Sequence, residues 1–170
     1  DDVRIYNRAL SAAEVKELYQ VGAEKINPSQ KGVGSLKNDL VGWWTFDGPD
    51  MYQNVADRSG NGNNGYMSGF TSTSSAQVAG KLGQALRFNG SSDYVKIYDN
   101  SSLESGTQAT WSFWGKENAG VEGAGLIHKM DSPYAYMIRA FTVGARINVQ
   151  LSNNGTDFET DSSVDNCGFT

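Results

Sequence analysis

In the stretch ADRSGNGNNG, residues 56–65, Asp57, Ser59 and Asn61 stand at i, i+2 and i+4, with Gly62 next. Short oxygen-bearing side chains at that spacing, with a glycine for a sharp turn, match the first half of a calcium-binding loop. The second half of that pattern is missing: the twelfth position is Ser68 rather than Glu, and the flanks read as strands. The same residue types also make an Asx-rich β-turn, with Gly60, Gly62 and Gly65 supplying positive φ. Both readings stand, calcium ligation by Asp57, Ser59 and Asn61 or turn chemistry alone. A second acidic pattern is DFETD, where Asp157, Glu159 and Asp161 share one side of any strand. Paired carboxylates about 5–9 Å apart carry out glycoside hydrolysis. Here Thr160 interleaves and polar runs bracket the segment, so it reads as a solvated strand edge. His128 is the sole histidine and Cys167 the sole cysteine; with no second His or Cys nearby, neither makes a zinc site or a nucleophilic pair. No catalytic residue is assigned, and the chain reads as a non-enzyme.

The elements that must position these residues are mostly strands. The chain has 170 residues, 20 of them Gly, and a net charge of −5. No basic stripe marks a nucleic-acid surface, and no apolar run approaches the roughly 18 residues of a membrane span. Without an initiator Met or a signal peptide, it reads as a piece of a longer protein. One helix is predicted over 11–22, with Ser11 as N-cap, Glu14 completing a capping box, and Val15, Leu18 and Tyr19 on one face. Residues 23–39 read as a linker. After that, LVGWWTFD (40–47) alternates, with Leu40, Trp44 and Phe46 on one face. QALRFNG, DYVKIYD, QATWSFWGK, AGLIHKM, YAYMIRAF and ARINVQLS follow, separated by Gly/Asn/Ser turns. Such spacing predicts an all-β chain of two packed antiparallel sheets with one short helix near its start.

Three blocks resemble one family. They are LVGWWTFDG with VADRSGNGNNGYMSG; GKLGQALRFNGSSDYVKIYDNSSLE with ATWSFWGK; and the opening DDVRIYNRALSAAEVKELY. Together they resemble the laminin-G-like jelly roll of the concanavalin A-like lectin and glucanase class. In that family the third block is the last strand plus a closing helix, yet here it comes first. The resemblance therefore implies either the tail of one repeat (1–22), a linker (23–39) and a truncated jelly roll (40–170), or a permuted domain. In the permuted case DDVRIYN pairs with LVGWWTFD in the same chain. At about 3.3 Å per extended residue, the segment between Tyr6 and Leu40 is long enough for that. The resemblance also implies a structural calcium near Asp47, Gly90 and Asp2, with Asp93 contributing.

What the resemblance implies for function is recognition: carbohydrate binding or adhesion by a secreted or surface-displayed microbial repeat protein. The partners would be a glycan or cell-surface polysaccharide and neighbouring repeats. Two alternatives are a structural spacer without ligand and an accessory or catalytic part of a glycosidase. Trp44, Phe46, Phe88, Trp111 and Phe113 are expected in the core, because large rings dominate core energetics. Sugars stack their C–H faces on exposed rings, so Tyr94, Tyr98 and Trp114 stay open to that role. The glycan-facing surface is expected at Tyr134 and Tyr136 on one strand face and Arg146, Asn148 and Gln150 on another, with Trp114 a further candidate.

Overall fold

Strands need their backbone groups paired along both edges and their apolar side chains covered on a face, and this chain pairs its strands antiparallel. The computed structural model describes residues 1–21, 35–51, 54–104, 108–116, 124–129, 135–141, 146–152 and 160–164. In chain order its regular elements are β1 (Val3–Tyr6), α1 (Ala12–Val21), β2 (Leu40–Trp44), β3 (Gly65–Ser68), α2 (Thr73–Ala76), β4 (Gln77–Ala79), β5 (Gln84–Leu86), β6 (Tyr94–Ile97), β7 (Thr110–Ser112), β8 (Ala124–Lys129), β9 (Ala135–Phe141), β10 (Arg146–Ser152) and β11 (Thr160–Val164). The described chain is mostly β, its sheets antiparallel and its helices few. It divides into two compact units, Asp1–Trp114 and Gly115–Thr170. Among the described residues no helix is long and apolar enough to cross a membrane.

The first unit answers the puzzle of the opening segment. β1 lies between β2 and β7, so DDVRIYN does fold back beside LVGWWTFD in the same chain. Val3 faces Trp44, Arg4 faces Trp43 and Ile5 faces Gly42. On its other side Ile5 faces Trp111 and Tyr6 faces Thr110. The ladder continues past the strand ends, where Asp1 and Trp114 exchange both backbone hydrogen bonds at 2.9 Å. A strand in that position is covered on both faces. Ile5 joins a core of Trp44, Phe46, Met51, Val55 and Leu86, while Tyr6 joins a second cluster of Leu18, Leu36 and Leu40.

Leu40 was expected on the Trp44 face, and a register shift moves it. Ile5 opposes Gly42 but its neighbour Tyr6 opposes Leu40, so Val41 is the extra residue of a bulge. A bulge turns the following side chain to the other face. Trp44 and Phe46 keep the predicted buried face.

The helix begins as predicted. Glu14 Oε2 accepts from the Ser11 backbone N–H at 2.9 Å and Ser11 Oγ accepts from Glu14 N–H at 3.3 Å, a capping box. Arg8 adds two bonds to the Glu14 carboxylate, at 3.0 and 2.7 Å. Of the three predicted face residues, however, only Leu18 is buried; Val15 and Tyr19 are exposed. Leu18 is the helix residue that joins Tyr6, Leu36 and Leu40 in a buried cluster. Phe88, expected in the core, is also exposed: it lies beyond the end of β5, where its ring meets Phe70 edge-on at 5.4 Å.

In the second unit the order is β11-β10-β9-β8. Tyr136 faces Leu151 and Lys129, and Ile138 faces Val149 and Ile127. Residues directly opposite in an antiparallel ladder share a face, so Ile127, Tyr136, Ile138, Val149 and Leu151 lie on one face together with Lys129.

Candidate functional site

The ADRSGNGNNG loop is built against an exposed strand edge. β2 ends its sheet, so its outer N–H and C=O groups lack a strand partner, and such an edge invites aggregation unless covered. The loop covers it. Trp43 N–H donates to Asp57 Oδ1 at 3.0 Å, and Arg58 N–H donates to Trp43 O at 2.7 Å. Ser59 Oγ donates to Val41 O at 3.2 Å, Asn61 Nδ2 to Leu40 O at 3.0 Å, and Asn63 Nδ2 to Val41 O at 2.8 Å. These are the carbonyls that the bulge leaves pointing outward.

The calcium reading of this loop meets a simple count. An ionised carboxylate has about four acceptor sites. Asp57 uses Oδ1 for Trp43 N–H and Ser59 N–H, and Oδ2 for Ser59 Oγ–H and Asn63 N–H, at 2.8–3.0 Å. Ser59 and Asn61 turn their donors toward β2. Asp57, Ser59 and Asn61 are thus brought together, but around a strand edge, and turn chemistry accounts for them.

The second set expected to hold calcium is not brought together. Asp2 is buried, ion-paired to Arg4 at 3.0 Å and accepting from Trp43 Nε1 at 2.7 Å. Gly90 (φ 72) and Asp93 belong to a turn in which Asn89 Oδ1 accepts from the N–H groups of Ser91, Ser92 and Asp93. Asp47 instead accepts from Gln84 N–H at 2.8 Å. It grips the β4–β5 hairpin, whose turn closes with Gly80 N–H to Gly83 O at 3.1 Å. Asp1 grips the same turn, accepting from Leu82 N–H at 2.8 Å, and its Oδ1 is buried without a hydrogen-bond partner among the described residues. Beside these two carboxylates, Asp2 (φ 50) and Phe46 (φ 61) both hold left-handed backbone, which side chains beyond glycine rarely adopt. Among the described residues no cluster of three or more His, Cys, Asp or Glu forms. The acidic pair that shares a feature is therefore Asp1 and Asp47, and only Asp47 was named from sequence.

Of the residues expected to face a glycan, Tyr136 is not available. Tyr136 is 3% exposed, on the face it shares with Ile138, because its register sets it against Leu151 and Lys129. Asn148 and Gln150 lie half-buried on the opposite face. Arg146 opens β10, opposite Phe141. Trp114 is in the first unit and meets Tyr19 at 5.7 Å, with Lys81 Nζ 5.5 Å from its ring. Tyr134, Asp157, Glu159 and Cys167 lie outside the described residues. Asp161 falls in β11, opposite Gln150. His128 is exposed on β8, as expected of a polar strand face.

A different surface has the character that was sought. β3 and β6 pair with Tyr66 opposite Lys96 and Ser68 opposite Tyr94. Alternation sends Met67, Val95 and Ile97 against the core. It leaves Tyr66, Tyr94 and Tyr98 outward, 45%, 52% and 60% exposed. Tyr66 and Tyr98 meet edge to face at 5.3 Å, and Lys96 Nζ stands 5.0 Å from the Tyr98 ring. From sequence, Tyr94 and Tyr98 stay open between core and platform, and Tyr66 carries no expectation. Its signal was its position in GYMS, one strand from Tyr-x-Lys-x-Tyr, and reading it required the pairing of the two strands.

No family model, curated protein or solved structure matches the chain.

Proposed function

We propose that this chain is a carbohydrate-binding or adhesion module of a secreted or surface-displayed protein, built as a laminin-G-like jelly roll, and that its glycan lies on the β3–β6 tyrosine face. One observation carries the reading: three half-exposed tyrosines share an outward face whose reverse is anchored in the core. Phenol rings present an apolar body and a polar tip, so they stack on the C–H face of a sugar while their hydroxyls meet its hydroxyls. The rings are ordered before binding by their mutual contact, which lowers the cost of fixing them. A net charge of −5 disfavours nucleic acid as the occupant of an aromatic face.

The jelly-roll assignment rests on the three sequence blocks and agrees with β1 taking the place between β2 and β7. Calcium, which the resemblance implies, fits best at the 80–84 turn. Asp1 Oδ1 and the second oxygen of Asp47 would be its ligands, oxygen donors being what calcium takes. There it would tie the turn to β1 and β2 as a stabiliser, with no reaction assigned to it.

The test is a glycan array followed by titration with Tyr66→Ala and Tyr98→Ala. Both rings are exposed, so both variants are expected to fold with unchanged melting. Each should bind about tenfold or more weakly, the value of one lost stacking contact of 1–3 kcal/mol. An array without a positive, or variants that bind like the parent, would overturn the reading and leave the spacer role.

A further inference from the structure

Where the β3–β6 ladder ends, the chain makes a pocket that the tyrosine face does not use. Past Ser68, Gly69 turns with φ +85 and packs against the backbone of Ser92 and Asp93. This brings Phe70 beside the start of β6. A cavity of about 360 Å³ opens there, lined by Phe70, Thr71, Arg87, Phe88, Asn89 and Asp93 among others. Its size is at the small end of ligand sites, which run roughly 300–1,000 Å³. It takes one sugar ring rather than a chain.

The hollow is half open to solvent, and three kinds of group line it. Phe88 is a large exposed ring, set edge-on to Phe70 at 5.4 Å, so an apolar wall is held open to solvent. Arg87 is fixed by its backbone N–H to Ala76 O at 2.8 Å. Its guanidinium is exposed, with no ion pair or hydrogen bond to another described residue. Asp93 is rigid, because its Oδ2 accepts from Asn89 N–H at 3.0 Å and its own N–H donates to Asn89 Oδ1 at 3.1 Å. A ring wall, an acceptor carboxylate and an unpaired cation are therefore set around one small space. A ligand that satisfies all three has an apolar C–H face, hydroxyls to donate and a carboxylate to accept two parallel N–H bonds from arginine.

We infer that this pocket binds a single acidic sugar residue, a hexuronate. The inference rests on the glycan reading and deepens it. The uronate carboxylate meets Arg87, a ring hydroxyl meets Asp93, and the C–H face rests on Phe88. The pocket then sets ligand class, and the tyrosines supply general affinity.

The test compares a galacturonate trimer with its methyl ester, which keeps the shape and removes the charge. The parent is expected to prefer the acid by about tenfold, as one bidentate arginine contact allows, with the preference shrinking as salt rises. Arg87→Met should bind both forms equally, at the affinity of the ester. It removes an exposed side chain and leaves the backbone bond, so folding is not at issue. Tyr98→Ala should weaken acid and ester alike while the preference remains. Equal binding of acid and ester by the parent, or a preference that survives Arg87→Met, would overturn the inference and leave the glycan reading standing. A parent that binds neither acid nor ester would also overturn the inference, and the glycan reading would then be decided by the array alone.

Discussion

At the scale of single residues, Asp57 and Glu14 make the clearest cases, because each is a carboxylate whose work is to accept hydrogen bonds. Asp57 takes four donors from the loop and from β2. Replacing it with Ala leaves three backbone N–H groups without an acceptor, and bonds to a charged group are worth about 1.5–3 kcal/mol each before water substitutes for them. Asp57→Ala should therefore lower unfolding free energy by about 2–3 kcal/mol in a denaturant titration; a change within about 0.5 kcal/mol would mean that the edge needs no such cover. Glu14 is held at a pKa of about 2, first by the Arg8 guanidinium and then by the Ser11 N–H and hydroxyl. Asp50 is lowered in the same direction, chiefly by Arg58 and also by Thr45. A carboxyl whose folded pKa lies below its unfolded value of 4.5 adds stability that is complete above that value and fades as pH falls toward 2. Stability measured from pH 6 to pH 2 should accordingly decline, and Glu14→Gln should decline less steeply. Parallel profiles for the two proteins would show that the Arg8 pairing exists without linkage.

At the scale of elements, β2 shows both what alternation reveals and what it hides. Gly42 lies under the Trp44 ring, where an added Cβ would meet the ring carbons Cζ3 at 2.8 Å and Cζ2 at 3.0 Å. Trp44 is 2% exposed and cannot swing away. Gly42→Ala should cost about 1–3 kcal/mol by overpacking, read as a lower melting temperature; wild-type melting would mean that the ring shifts freely. The buried pair Trp44 and Phe46 is legible from LVGWWTFD, and so is the capping box at Ser11 and Glu14, whereas the back-pairing of DDVRIYN is one of two readings that the sequence leaves open. The bulge at Val41 is not legible, since an inserted residue leaves no mark on composition. Nor is the burial of Tyr136 against the exposure of Tyr66. Alternation states which side chains share a face, while the covering of that face depends on which strands meet it. The ADRSGNGNNG loop was ambiguous for a chemical reason: the oxygens that ligate calcium also accept N–H bonds in a turn.

At the scale of the molecule, the first unit is tied together by residues distant in sequence. Asp1 and Asp47 reach the same hairpin turn from β1 and from the end of β2. If calcium sits between them, melting should rise with calcium and fall with a chelator, by the free energy RT ln(1 + [L]/Kd), and Asp47→Asn should abolish the difference. Identical melting curves in chelator and calcium would dismiss the ion. The position of β1 has a consequence for synthesis. Its slot has walls at residues 40–44 and 110–112, so β1 must wait for β7, far downstream in the chain, before both of its edges are paired. Pairings so remote in the chain close slowly. Until they do, the gap fits the matching strand of a second nascent copy as well as its own, and crowding on one messenger would favour exchanged dimers.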